Sequence, residues 1–148
     1  MRDKLKVKKL RDGARIPAYA TDGSAGLDLV CASDAPVVIR AGERESIPTG
    51  IAVECSRRDA VLLVFARSGL ATKHGISLAN GVGVVDPDYR GEIIVSVINT
   101  SREDYTVSPG ERIAQLVVVP FVRVDVAETD ELSETARGAG GFGSTGKS

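Results

Sequence analysis

The chain has 148 residues, 19 basic against 20 acidic, a formal net charge of −1, 43% hydrophobic and 26% charged side chains. That length suits one domain able to bury about two-thirds of its unfolded surface, and the composition is that of an ordinary globular protein. The even charge balance excludes a global pull toward nucleic acid or anionic lipid, so any anion site has to be built locally. No apolar run approaches the length of a membrane span. Met1 to Lys6 lacks the apolar core of a signal peptide, and a cytoplasmic setting is expected. Cys31 and Cys55 form no CxxC pair and sit in strand-like runs, so they read as free thiols rather than as a disulfide or metal ligands. In a cytoplasmic protein the sequon Asn99-Thr100-Ser101 carries no meaning.

Lys4 to Lys8 alternates polar and apolar residues as a half-buried strand does, and its lysines suit a solvated outer face better than a phosphate-binding arm. Runs rich in Val and Ile follow at Leu27 to Cys31, Val37 to Arg40, Ile51 to Cys55, Val61 to Ala66, Glu92 to Thr100 and Ile113 to Val122. Turn residues separate them at Ala41-Gly42, Pro48-Thr49-Gly50, Asp86-Pro87-Asp88 and Ser108-Pro109-Gly110. Ser68 to Lys73 suits one short helix. Many short strands with regular turns predict an all-β sandwich or jelly roll without tandem repeats. The domain is expected to span residues 1–127. Residues 128–148 form a polar, then glycine-rich, arm that cannot repay its ordering entropy by burial and is expected to be mobile in the free protein.

Gly141 to Ser148 matches the P-loop expression GxxxxGK[ST], but no apolar strand precedes it and no helix follows to hold the phosphates, so the match is refused. His74 is the only histidine, flanked by Lys73 and Gly75, and no GxSxG elbow exists. One histidine and two scattered cysteines make no zinc site. Acid–base chemistry therefore falls to carboxylates.

Three segments could carry it. Asn80 to Glu92, NGVGVVDPDYRGE, reads as a β-hairpin whose glycines let backbone approach a flat ligand while Asp86 projects beside the turn. A plain tight turn with solvated acids explains it equally well. Ala66 to Ala71, ARSGLA, offers an arginine, a hydroxyl and a glycine backbone at a helix start, which suits phosphate; Ser68 as a simple cap with Arg67 in solvent is the blander account. Gly110 to Gln115, GERIAQ, places an amide between Ala114 and Leu116, where it needs a hydrogen-bond partner.

Together these segments resemble the trimeric dUTPase family over Ile16 to Gly146. Five motifs appear in the family's order: AGLDL (Ala25 to Leu29), ARSGLA, the Asn80 to Glu92 segment, GERIAQL (Gly110 to Leu116) and RGAGGFGSTG (Arg137 to Gly146). The resemblance implies a distorted jelly-roll (β-clip) subunit, a homotrimer with each active site shared among three subunits, and hydrolysis of dUTP to dUMP and pyrophosphate with Mg²⁺. It implies Asp86 as the water-activating carboxylate and Asp28 as the acid holding magnesium through water. Arg67, Ser68, Gly69 and Gln115 match phosphate-binding positions, Asn80 and the backbone around Gly83 the uracil reader, and Tyr89 the residue beneath the deoxyribose. Arg137 matches the γ-phosphate clamp and Phe142 the ring stacked on uracil, with Gly143 and Ser144 beside it in the closing lid. Ala66 stands where many relatives have proline, and Pro87 stiffens the turn after Asp86. A dCTP deaminase of the same superfamily would need a catalytic glutamate motif that is not found here. A nucleotide-dependent binding module would need a spare segment. An inactive structural trimer would not need an intact Asp86 and lid.

Overall fold

Period-two burial organises the chain into antiparallel strands around one apolar core. The computed structural model describes residues 3–141. In chain order the elements are β1 (Leu5–Lys9), β2 (Ala18–Tyr19), β3 (Leu27–Val30), β4 (Val37–Ile39), β5 (Arg44–Pro48), β6 (Ile51–Cys55), β7 (Ala60–Ala66), α1 (Ser68–His74), β8 (Ile76–Leu78), β9 (Gly83–Val85), β10 (Ile94–Asn99), β11 (Tyr105–Val107) and β12 (Arg112–Pro120). A five-stranded sheet runs β2-β3-β12-β7-β9 and a three-stranded sheet β5-β10-β8, with the pairs β1-β6 and β11-β4 completing a mostly-β, jelly-roll-like subunit. Ala60, Leu62 and Val64 of β7 face inward, as do Leu27 and Leu29 of β3 and Val95 and Val97 of β10. All of these but Ala60 share one cluster with Ile39, Ile47, Ile51 and Leu116. Each such side chain contributes about 1.5–3 kcal/mol on burial.

Asn99 lies fully buried among them with both amide ends engaged. Its Nδ2 donates to Ile39 O (2.9 Å) and Glu103 O (2.7 Å), while Oδ1 accepts from Ser101 N (2.9 Å) and Oγ (2.8 Å). The sequon asparagine is thus a core linker. Both cysteines are free, Cys31 buried and Cys55 half-buried.

The helix forms as expected, one residue longer, and ends at Gly75 in the left-handed region (φ 68°). The Asn80 to Glu92 segment departs from expectation. It is a bridge between sheets rather than a hairpin: β9 pairs with β7 (Leu62↔Val85), and β10 pairs with β5 and β8. The residues between them are consumed by a turn closed from Tyr89 N to Asp86 O (3.1 Å), after which Ile93 N reaches Ile51 O (2.9 Å) in the other half of the sandwich. Beyond β12, residues 121–141 form no strand; Val122, Val124 and Val126 are 86%, 75% and 95% exposed. Among the described residues no helix is long and apolar enough to cross a membrane.

Candidate active site

The residues singled out in the sequence gather into two clefts. The first holds Asn80, Gly83, Asp86 and Tyr89, floored by Val64, Leu78 and Ile93. Asp86 follows the last residue of β9 and is exposed, so its carboxylate stands at the mouth. A Cβ at Gly83 would come 3.0 Å from Val64 Cβ, so glycine lets β9 lie close on β7 and leaves its backbone open to the cleft.

The second cleft holds Asp28, Arg67, Ser68, Gly69 and Gln115, with Gly26, Phe65 and Val117. Strand register explains this convergence. Asp28 on β3 is the direct partner of Gln115 on β12, which is the direct partner of Phe65 on β7. Residues opposite one another across antiparallel strands share a face. The amide of Gln115 has its partner, because Nε2 donates to Ala66 O (3.0 Å).

Arg67 is the N-cap of α1, extended (φ −91°, ψ 129°) and making no side-chain cap. Ser68 is therefore the first helical residue rather than the cap, and it is exposed together with Gly69. Arg67 is not simply solvated: its Nε lies 3.3 Å from Asp28 Oδ1. Arg112 Nη1 donates to Asp28 Oδ2 at 3.1 Å. One carboxylate thus aligns two guanidiniums at the lip of the cleft. Arg112 was missed in the sequence, where nothing marks it beyond its place in GERIAQ.

Among the described residues no cluster of three or more His, Cys, Asp or Glu could hold a metal by itself. Asp28 is the only carboxylate lining the second cleft, and both its oxygens are engaged by arginine. One carboxylate held by two arginines offers no direct metal site; a hard cation such as Mg²⁺ would have to keep its waters and take its direct ligands from a phosphorylated substrate.

The two clefts have no lining residue in common. Val64 lines the first and Phe65 the second, and neighbours on a strand project to opposite sides. Arg137 lines neither; it sits on the exposed arm, its Nε donating to Gly140 O (2.8 Å). Phe142, Gly143 and Ser144 lie outside the described residues. His74 also lines neither cleft and packs at a tilt against Tyr105, ring centroids 4.9 Å apart and planes 48° apart. Burial, then the hydrogen bond to Glu111, pushes the Tyr105 hydroxyl up to about 12.

The dUTPase family model matches residues 12–146. The chain belongs to the dUTPase family. Among curated dUTPases, the deoxyuridine 5'-triphosphate nucleotidohydrolase of Desulfitobacterium hafniense (strain DSM 10664 / DCB-2) is 49% identical over 147 residues, covering 98% of this chain and 97% of that protein. That of Hahella chejuensis (strain KCTC 2396) is 50% identical over 143 residues, covering 97% and 94%. Among solved dUTPases, that of Staphylococcus bacteriophage 80alpha with dUPNHPP superposes with a TM-score of 0.88 at 28% identity, covering 97% of this chain and 99% of that one.

Proposed function

We propose that the chain hydrolyses dUTP to dUMP and pyrophosphate in a homotrimer whose active sites each draw on three subunits. The observation that carries the reading is the separation of Asp86 from the Arg67 and Gln115 cradle, which lie in two clefts with no lining residue in common. A carboxylate that must activate water beside a phosphate cannot reach its own cradle, but in a closed ring each chain can offer one cleft to each neighbour. The exposed arm bearing Arg137 is then free to close over a site formed by the other two chains, as a lid, bringing Phe142 with it.

In this reading the base enters the first cleft, where Asn80 and the backbone around Gly83 read the uracil edge and Tyr89 lies beneath the deoxyribose. Polar readers left unpaired by a wrong base reject it by about 10⁴ or more. Arg67, the Ser68 and Gly69 backbone and Gln115 hold the phosphates, with Arg137 on the γ-phosphate and Phe142 stacked on the base. Gly143 and Ser144 complete the lid. Asp86 takes a proton from a water whose oxygen bonds to the α-phosphorus; the bond to the bridging oxygen breaks and pyrophosphate leaves in line. Asp28 would hold Mg²⁺ through water, and the ion would supply charge neutralisation on the triphosphate. Working in the cytoplasm, the reaction would limit uracil incorporation into DNA and supply dUMP for dTMP synthesis.

The test is pyrophosphate release from dUTP, dCTP, dTTP and UTP, with magnesium and after chelation, in the wild type and Asp86→Asn. Release from dUTP alone, lost on chelation and reduced by about 10²–10⁴ in the variant, is expected. Release unaffected by Asp86→Asn removes the role given to that carboxylate.

A further inference from the structure

Tyr89 is 46% exposed, and among the described residues the only aromatic pair is His74 with Tyr105, so no second ring holds it. An exposed ring without a support spreads over rotamers. Here a support exists. The Tyr89 hydroxyl donates to Glu92 O (3.0 Å), and a Cβ added at Gly91 would overlap the Tyr89 hydroxyl and Cζ. The ring therefore lies down on the Gly91 backbone with its far end tied to the next residue.

That seat is in turn bolted to the frame. Glu92 is 19% exposed at its side chain; Oε1 accepts from Gly50 N (2.8 Å) and Oε2 from Arg11 Nη2 (3.1 Å). Directly after it, the Thr49 hydroxyl, fully buried, donates to Ile93 O (2.6 Å). The peptide that receives the Tyr89 hydroxyl is thus held from both sides by the β5–β6 turn.

We propose that Gly91 and Glu92 are specificity-determining positioning residues: they fix the Tyr89 ring at the height at which it excludes a ribose 2′-hydroxyl. The inference rests on the proposed place of Tyr89 beneath the deoxyribose. A ring that can swing off its seat admits the extra hydroxyl, whereas a pinned ring does not. Gly91 acts by having no side chain, and Glu92 by charge-assisted bonds whose partners are 42 and 81 residues away.

The experiment measures kcat/KM for dUTP and for UTP, with Tm, in the wild type, Gly91→Ala, Glu92→Ala, Glu92→Gln and Tyr89→Phe. In Gly91→Ala and Glu92→Ala, UTP turnover is expected to rise in absolute terms, so that the dUTP/UTP ratio falls about tenfold or more. Glu92→Gln, whose amide oxygen can still accept from Gly50 N, is expected to keep most of the ratio. Tyr89→Phe adds no bulk and cuts only the hydroxyl tether, so the ratio falls there too. A purely structural role would lower both substrates together; an unchanged ratio in the alanine variants, or in Tyr89→Phe if the alanines do not fold, overturns the proposal. A wild type that hydrolyses dUTP and UTP alike overturns it alone, and a wild type inactive on dUTP overturns the functional reading and this inference with it.

Discussion

Two disabled chains should repair each other if the site is divided between subunits. Asp86→Asn leaves the cradle of Arg67, Ser68 and Gln115 intact, and Arg67→Ala leaves Asp86 intact, because the two residues line different clefts. Alone, Asp86→Asn should lose about 10²–10⁴ in rate as a missing general base, and Arg67→Ala about 10²–10³ as a missing charge-stabilising donor. Now let the two be unfolded together in equal amounts and refolded into trimers. A site is whole only when the cradle comes from an Asp86→Asn chain and the carboxylate from an Arg67→Ala chain. Each condition is met about half the time, so about one quarter of the sites, and of wild-type activity, should return. The assay is pyrophosphate release by the mixture against each parent refolded alone. A mixture no more active than its parents would mean that one chain supplies both clefts to one site, and the argument from the separate clefts would fail.

Two further outcomes follow from the scaffold. Asn99→Leu removes four hydrogen bonds from a fully buried position and orphans the carbonyls of Ile39 and Glu103. It should cost about 3–5 kcal/mol, seen as a urea midpoint shift at unchanged slope and a Tm lower by about 10 °C. Because the Tyr105 hydroxyl titrates higher when folded, at about 12, its contribution is complete below the unfolded value near 10. That contribution is lost as pH rises from there through the folded value. Tyr105→Phe should flatten the fall in Tm across that alkaline window.

Much of the strand framework was visible in the sequence because Val- and Ile-rich runs with turn residues between them leave little choice. What escaped was short or at an edge. β5 (RESIP) buries fully only Ile47, and β2 is two exposed residues, so neither shows an apolar period. The Asn80 to Glu92 segment has the composition of a hairpin, yet β9 takes β7 as its partner; a local pattern says that a strand exists, not which strand completes it. The same limit hid Arg112, whose carboxylate lies 84 residues earlier, and Arg11, paired with Glu92 across the sandwich. The candidate residues could be named from motif chemistry, but their division between two clefts depends on which distant strands pair, which motif spacing does not encode.

Asp28 between Arg67 and Arg112 also bears on what the cradle does while it waits. Two bare guanidiniums at an open lip would retain any stray phosphate. With one carboxylate lying across them, the resting lip presents a single net positive charge and already-directed donors. A polyphosphate must outcompete an internal rival, which a chain of three phosphates can do far better than a lone one. If the cleft binds phosphates as proposed, the carboxylate is a placeholder that sets a threshold: it discounts every weak anion equally, and it reclaims the arginines when the leaving pyrophosphate is gone.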